Sequence, residues 1–390
     1  MIKTVLLDMD NTLIHNLDEV FARYYIQLAQ RTLAVDLGIP DIARTLKQIM
    51  FELSSPRDGT INNYQHILDV LQNASAKSRS HVEANLHHFY DQAYCTLEPL
   101  VTPVPFAADL IQTLIAQNFR VVIATNPIYP SVGLRQRFHW GGLGDFESKV
   151  AFITDAETMH FAKPDPAYYA EIVARLGVEP DEALMVGDNP INDIRAAYSV
   201  GLPTLHVEKT HQGSLQAIVE RLSAPAWQTS FTASLLTSEA VLHELRGNIG
   251  ALQGLVFTAP ETTWQRRPLP SEWSILQILT HLADSEPSVQ RARLQRILQS
   301  NNPFLAEEPD PGPDLPTHIT DLYKLMATFV HERTQTLNLL RSLSSEQWSR
   351  KARHGVFGLT TLLEMAHFTA QHDRIHINQL CQTIGRCRDD

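Results

Sequence analysis

The chain has 390 residues, of which 44% are hydrophobic and 19% charged; this is an ordinary globular composition in a chain too long for one hydrophobic core, so two or more domains are expected. The formal net charge is −11, and no long run of lysine or arginine occurs, which argues against nucleic acids and anionic membrane surfaces as partners. The three cysteines are widely placed or close to the C-terminus and predict no disulfide framework, and no apolar run is long enough to span a membrane, so we expect a cytoplasmic protein.

Residues 5–13 read V-L-L-D-M-D-N-T-L, an apolar run that ends in two aspartates. The run predicts a buried parallel strand, so Asp8 and Asp10 would lie at its carboxyl end, where open α/β sheets bind ligands. Side chains two residues apart in an extended chain point to the same side. Two carboxylates in one small volume repel each other unless a cation lies between them or one is protonated. The simpler alternative is an aspartate-rich turn that caps the next helix.

Helical periodicity dominates from about residue 15 to residue 100, and no strand is predicted there. Strands and helices then alternate, with strands predicted at residues 120–125, 150–154, 183–186 and 203–207. Such alternation predicts a parallel sheet with helices on both faces. Residues 15–100 therefore read as an all-helical insert between the first strand and the rest of an α/β core.

Further polar residues follow the predicted strand ends. Thr125 ends one strand, Lys163 precedes a proline, and Asp188 and Asp193 belong to the run G-D-N-P-I-N-D after another strand. Each has a simple alternative: a helix cap, a solvated lysine or an ordinary turn. Together with the first two aspartates they supply carboxylates for a hard divalent cation, a hydroxyl donor, and an ammonium group to balance phosphoryl charge.

The order D-x-D-x-T, strand-end Thr, Lys-Pro, and G-D-x-x-x-x-D resembles the haloacid dehalogenase-like (HAD) hydrolase superfamily over about residues 1–210. The resemblance implies that Asp8 is a nucleophile that forms an aspartyl-phosphate, and that Asp10 acts as general acid and then general base. It implies that Thr125 and Lys163 contact the phosphoryl oxygens, and we predict that the neighbouring Asn126 binds substrate.

The same resemblance implies a Mg²⁺ site. Its ligands would be Asp8, the backbone carbonyl of Asp10, and Asp188, with Asp193 as a ligand through water or as an orienting group. The insert at residues 15–100 would be the helical cap that closes over the site. True dehalogenases lack the second aspartate and need no metal, so Asp10 favours phosphoryl transfer. The simplest prediction is a phosphomonoester hydrolase acting on a small phosphorylated metabolite; a phosphomutase uses the same residues and stays open.

The predicted first domain spans residues 1–222, with its core at 1–14 and 101–210. Residues 223–234 have no clear periodicity and are predicted to be a linker. Beyond it, helical patterns run at about residues 238–256, 274–299, 318–343 and 360–384. Four helices of this length predict an all-α four-helix bundle at residues 235–390.

The possible chemistry of the second half rests on three histidines. His372 and His376 are four residues apart, so one helix face would present both, a spacing that can chelate a metal. In a chain with 17 histidines such a pair arises readily by chance, and a histidine such as His281 on an apolar face is often a core residue. The runs W-S-I-L-Q-I-L-T-H-L-A-D and H-D-R-I-H-I-N-Q-L, however, resemble the DinB family over about residues 235–385.

That resemblance implies that His281, His372 and His376 bind Zn²⁺, Ni²⁺ or a similar ion, for which imidazole ligands are well suited. Some relatives transfer low-molecular-weight thiols. Two alternatives follow for the whole chain. In one, the principal reaction occurs at the histidine site and the first domain is accessory. In the other, the bundle is a metal-free dimerisation module, which would make the protein a homodimer.

Overall fold

The computed structural model describes residues 1–16, 18–208, 215–233, 235–307 and 311–388. It divides into two compact units. The first comprises Met1–Arg57, Ile61–Tyr168 and Glu179–Ser234, and the second comprises Asp58–Thr60, Tyr169–Val178 and Leu235–Asp390. In the part of the chain described, no helix is both long enough and apolar enough to cross a membrane.

The elements up to residue 223 alternate between strands and helices outside the insert. In chain order they are β1 (Thr4–Leu7), β2 (Ile14–Asn16), α1 (Asp18–Arg31), α2 (Leu33–Leu37), α3 (Ile42–Leu53), α4 (Asn63–Ser75), α5 (Arg79–His88), β3 (Val101–Pro103), α6 (Ala107–Ala116), β4 (Arg120–Ile123), α7 (Ser131–Trp140), β5 (Phe152–Ile153), α8 (Ala167–Leu176), β6 (Ala183–Gly187), α9 (Ala196–Val200), β7 (Thr204–His206) and α10 (Gln216–Ser223).

The first unit is built on a five-stranded sheet in the order β5-β4-β1-β6-β7. Every neighbouring pair is parallel, and Leu7 at the end of β1 pairs with Ile123 on one side and Val186 on the other. β1 is buried along its whole length, as expected of a central strand covered on both faces. The predicted parallel α/β core is confirmed.

The insert is helical as predicted, but it begins and ends in a short two-stranded ribbon. β2 and β3 pair antiparallel, with Ile14 opposite Pro103 and Asn16 opposite Val101. Each strand has three residues, which is too short to show an alternating pattern. The prediction that this region contains no strand was therefore wrong at its first residues, because the ribbon forms only when the two ends of the insert meet.

Part of the predicted linker packs on the first unit. Trp227 is buried, its ring lies 5.0 Å from that of Phe119, and its Nε1 donates to Gln117 Oε1 at 3.1 Å. Burying an indole ring is favourable, and its N–H then needs a partner. The segment around Trp227 therefore packs against the first unit.

The second unit is mainly helical. Its further elements are α11 (Ser238–Thr258), α12 (Ile275–Ser285), α13 (Ala292–Gln299), β8 (Phe304–Leu305), α14 (Leu322–Arg341), α15 (Ser345–Trp348), β9 (Lys351–His354), β10 (Gly358–Thr361) and α16 (Leu362–Arg388). A π-helical turn, Glu286–Arg291, joins α12 to α13, so these two elements form one long helix. The predicted four-helix bundle is confirmed as α11, α12–α13, α14 and α16.

Apolar side chains from the four helices form one core, and α11 packs against α16 and α14 while α12 packs against α14 and α16. The sequence did not predict the small sheet β10-β9-β8. Its strands have two to four residues, and β8 and β9 are separated by the whole of α14. Only the packed bundle brings them together.

Candidate active site

Three adjacent strands deliver the first group of polar residues to one edge of the sheet. Asp8 directly follows β1, Asp188 follows β6, and Thr125 lies two residues beyond β4. Because β1 lies between β4 and β6 and all three are parallel, their carboxyl ends meet. The structure therefore brings together the motifs that the sequence placed at separate strand ends, as expected of ligand sites in open α/β sheets.

Three buried carboxylates cluster at this edge. One oxygen each of Asp8, Asp188 and Asp193 lies within 4.8 Å of the others. Lys163 Nζ donates to Asp8 Oδ1 at 2.8 Å and to Asp193 Oδ1 at 2.6 Å. One ammonium group cannot balance three carboxylates, and an all-oxygen donor set with excess negative charge suits Mg²⁺. The side chain of Asp10 lies outside this cluster, so its predicted metal contact could come only from its backbone carbonyl.

Asp193 is held in place by the backbone before it. Its Oδ2 accepts a hydrogen bond from the backbone N–H of Asn189 at 2.9 Å. The carboxylate also packs against Gly187, where an added Cβ would lie 2.4 Å from Oδ2. The glycine of the Gly-Asp motif is thus required because its lack of a side chain lets the Asp193 carboxylate approach the backbone closely.

Burial and the neighbouring Lys163 have opposite effects on the charge of the Asp8 carboxylate. Thr12 Oγ1 donates to its Oδ2 at 3.2 Å, and Lys163 holds its other oxygen. Burial raises the pKa of Asp8 well above the ordinary value, Lys163 opposes that rise, and Asp193 and Asp10 add to it. The carboxylate form, which a nucleophile needs, therefore depends on nearby positive charge.

Thr125 has an unsatisfied hydroxyl. Its side chain is 1% exposed, and among the described residues its Oγ1 has no hydrogen-bond partner. Its backbone carbonyl is held by the hydroxyls of Thr154 at 2.7 Å and Tyr168 at 2.8 Å. A buried orphan hydroxyl is costly, and a bound oxyanion would provide the missing acceptor. The Asn126 Oδ1 accepts from the backbone N–H of Lys163 at 3.2 Å, so this residue also helps to place the lysine.

A cavity of about 170 Å³ connects these groups. Its lining is entirely polar: Asp8, Asp10, Asn11, Asn126, Lys163, Asp188, Asn189, Asn192 and Asp193. Six of the seven residues predicted for this site line the cavity, and the seventh, Thr125, directly precedes Asn126 in the chain. Arg137 was missed. It pairs with Asp10 across 127 positions of sequence, and nothing in the local pattern of α7 distinguishes it from the neighbouring arginine.

A second cluster lies in the second unit. The rings of His281, His372 and His376 lie 4.6–5.2 Å apart, centroid to centroid, and one nitrogen from each lies within 4.8 Å of the others. Burial, together with His376 and His281, lowers the pKa of His372 to about 2. Three converging imidazoles form a donor set that suits a transition metal, which binds the unprotonated ring.

The surroundings of this cluster provide both space and support. Trp273 stacks on His376, with centroids 5.8 Å apart and an interplanar angle of 17°. A cavity of about 310 Å³ adjoins the same histidine; it is lined by Ser271, Glu272, Trp273, Gly312, Pro313, His376 and Gln379. The sequence analysis missed a fully buried ion network next to His372, in which Arg333 binds Glu286 and Asp373. A charged residue at a core position of α14 was the available signal.

Comparison with known proteins supports the division into two parts. Residues 2–201 match the model of the haloacid dehalogenase-like hydrolase family. The chain belongs to this family. Residues 244–380 match the model of the DinB superfamily. The HAD-like and DinB-like resemblances are both confirmed, and the first part of the chain is a HAD-like hydrolase.

Curated relatives align with the HAD-like part. Glyceraldehyde 3-phosphate phosphatase of Methanopyrus kandleri is 27% identical over 213 residues, 54% of this chain and 85% of its own length. Phosphoglycolate phosphatase of Rhodospirillum rubrum is 29% identical over 207 residues, 53% of this chain and 79% of its own. Among solved structures, YfiT from Bacillus subtilis, with an unusual four-helix bundle topology, is 19% identical with a TM-score of 0.35 and covers 39% of this chain and 89% of its own. The two curated relatives are consistent with a phosphatase.

Proposed function

We propose that the HAD-like domain, which we place at residues 1–222, is a Mg²⁺-dependent phosphomonoester hydrolase. The observation that carries the proposal is the arrangement at the sheet edge: Asp8 accepts a hydrogen bond from Lys163 and lies beside two further carboxylates, and among the described residues the buried Thr125 hydroxyl has no acceptor. This arrangement can receive a phosphoryl group, balance its charge and attack it. The relatives named as phosphatases support the same chemistry, and both of them act on small phosphorylated compounds.

In the first step, an Asp8 carboxylate oxygen attacks phosphorus and the bond to the leaving-group oxygen breaks. The product is a phosphoryl group on Asp8, and Asp10 gives its proton to the departing alkoxide. Lys163 and the Thr125 hydroxyl bind the phosphoryl oxygens as their charge redistributes.

In the second step, water attacks phosphorus and Asp10 takes up the water proton. The bond from phosphorus to the Asp8 oxygen breaks, which restores the Asp8 carboxylate and leaves inorganic phosphate. Over the two steps Asp10 first loses and then regains one proton, so the enzyme returns to its starting state.

Asp8, Asp188, Asp193 and the backbone carbonyl of Asp10 would hold the magnesium ion. When bound, the ion supplies positive charge that offsets the excess of carboxylates and the charge of the phosphoryl group. The presence of Asp10 also argues against dehalogenation, because cleavage of a carbon–halogen bond needs no acid at this position. The polar cavity of about 170 Å³ favours a small substrate.

The test is phosphate release from a panel of phosphorylated metabolites by the wild type, by Asp8→Asn and by the control Asp109→Asn. Asp109 is exposed on α6, so its variant should match the wild type. Asp8→Asn should remain folded, because the side chains have the same shape and burial already disfavours the charge, and it should release no phosphate. Chelation of divalent ions should abolish wild-type turnover, and added Mg²⁺ should restore it. Retained turnover in Asp8→Asn would overturn the proposal.

We also propose that the DinB-like domain, at residues 235–390, binds a transition metal through His281, His372 and His376. The convergence of the three rings supports this assignment. The cavity beside His376 favours, as a second candidate function, a hydrolytic or transfer reaction at the same site, for which the metal would lower the pKa of a bound water or thiol. Homodimerisation through the bundle stays a prediction, which light scattering on the full chain can check.

Elemental analysis tests the metal site. After expression with metals supplied, the wild type should carry a transition metal that His372→Ala loses and the control His331→Ala keeps. His331 is exposed on α14 and is not one of the three converging rings. A wild type without transition metal would refute the assignment.

A further inference from the structure

Arg137 makes the closest contact to the Asp10 side chain. Two nitrogens of its guanidinium, Nη1 and Nη2, donate to the two carboxylate oxygens, with Nη1 3.0 Å from Oδ2. The arginine side chain is 2% exposed and the aspartate side chain 29% exposed. The pair therefore has one buried end, the guanidinium, and one end at the wall of the polar cavity. A planar fork that binds both oxygens fixes the orientation of a carboxylate, which a single donor does not.

Arg137 is itself held firmly. Its guanidinium carbon lies 4.7 Å from the ring centre of Phe21 and 5.7 Å from that of Tyr129. Both contacts place the cation over an aromatic ring, and helix α7 fixes its backbone. A buried cation is strongly disfavoured without a partner, so the arginine cannot easily turn away from Asp10.

Asp10 has little other support. Among the described residues, its only other side-chain hydrogen bond comes from Asn16 Nδ2 at 3.4 Å, which is near the limit for such a bond. Without the arginine fork, rotation about its two side-chain torsions would let the carboxyl group leave the position that faces the cavity. Proton transfer requires the acid within about 3 Å of the atom that receives the proton.

We propose that Arg137 is a positioning residue for Asp10: its guanidinium uses one lone pair of each carboxyl oxygen and fixes the carboxyl group at the cavity wall, so that a second lone pair can carry the proton that passes to the leaving-group oxygen. The proposal rests on the phosphatase function proposed above and adds to it a residue from outside the four HAD motifs. It predicts a loss that depends on how much the leaving group needs a proton. An alkoxide needs one, whereas nitrophenolate leaves readily without it.

The experiment compares kcat/KM for the best alkyl phosphate of the panel with kcat/KM for p-nitrophenyl phosphate. The parameter kcat/KM covers the steps up to departure of the leaving group. It therefore reports the role of Asp10 as an acid and does not depend on the later hydrolysis of the phosphoenzyme. In Arg137→Met we expect a loss of about 10²-fold with the alkyl phosphate, the cost of a displacement of about 1 Å in a catalytic group. With p-nitrophenyl phosphate the loss should be only a few-fold.

Three further variants make the result specific. Arg137→Lys keeps the buried charge but cannot hold both oxygens, so it should show the same selective loss even if the methionine variant is poorly folded. Arg135→Met, on the same helix with a side chain 55% exposed, should behave like the wild type. In an Asp10→Asn background, Arg137→Met should add no further loss with the alkyl phosphate.

Equal losses with both substrates in Arg137→Lys, or an additional loss in the Asp10→Asn background, would overturn the positioning role. Absence of wild-type turnover with every phosphate tested would instead overturn the phosphatase function on which the role rests. The two failures are distinguishable because the second is seen before any variant is made.

Discussion

Replacement of Gly187 by alanine is a sharp test of the site geometry. An alanine Cβ would lie 2.4 Å from Oδ2, 2.6 Å from Cγ and 2.7 Å from Cβ of Asp193. Ordinary contacts between such atoms begin near 3.4 Å, so the aspartate must retreat by about 1 Å. The neighbouring atoms are a tightly held carboxylate and its own backbone, which cannot simply swing aside.

The retreat breaks two hydrogen bonds. Asp193 Oδ1 lies 2.6 Å from Lys163 Nζ and Oδ2 lies 2.9 Å from Asn189 N; a shift of about 1 Å takes both beyond hydrogen-bonding distance. Hydrogen bonds to a charged group contribute about 1.5–3 kcal/mol each, so we expect the loss of two in Gly187→Ala to lower the free energy of unfolding by about 3–6 kcal/mol. Because Lys163 also loses its hydrogen bond to Asp193, kcat/KM should fall by about 10²-fold.

Urea denaturation in the presence of chelator measures the first effect, and phosphate release with Mg²⁺ measures the second. Gly385→Ala is the control, because a Cβ there meets no atom within 4 Å and a helical glycine replaced by alanine should be neutral or stabilising by up to about 1 kcal/mol. A Gly187→Ala protein within about 0.5 kcal/mol of the wild type and equally active would refute the argument that Asp193 must rest against a bare backbone.

Two further predictions concern buried charge. Arg333→Met leaves Glu286 and Asp373 without their cation, so urea denaturation should show that the free energy of unfolding falls by about 3–5 kcal/mol. The control Lys324→Met, on an exposed residue of the same helix, should change the free energy of unfolding by less than about 0.5 kcal/mol. Equal effects of the two substitutions would contradict the importance of the network. Burial raises the pKa of Glu157 from 4.5 to about 7; the folded protein therefore binds a proton that the unfolded chain has lost, and stability should fall by at most about 3 kcal/mol as pH rises through this range. Glu157→Gln should lack this part of the decline in denaturation experiments between about pH 5 and pH 8, and an unchanged decline would contradict the prediction.

The sequence determined the local features of both halves. A buried β-branched run followed by aspartates placed Asp8 at a strand end, and the alternation of strand and helix patterns predicted the parallel sheet. In the second half, helical spacing predicted the bundle, and Ser274 does cap α12, accepting a hydrogen bond from the backbone N–H of Gln277 at 3.3 Å. These features lie within about a dozen neighbouring residues, where period, capping and turn chemistry are written directly in the residue order.

The tertiary structure alone decided the contacts between distant segments. Arg137 is 127 residues from Asp10, Arg333 lies 47 residues from Glu286, and the β2–β3 ribbon joins the two ends of the insert. No local period marks such pairs, because which arginine meets which carboxylate depends on the packing of whole helices and sheets. A buried charge needs a partner, and the tertiary structure decides which residue provides it. The sequence therefore shows which residues are charged, and it does not show which of them pair.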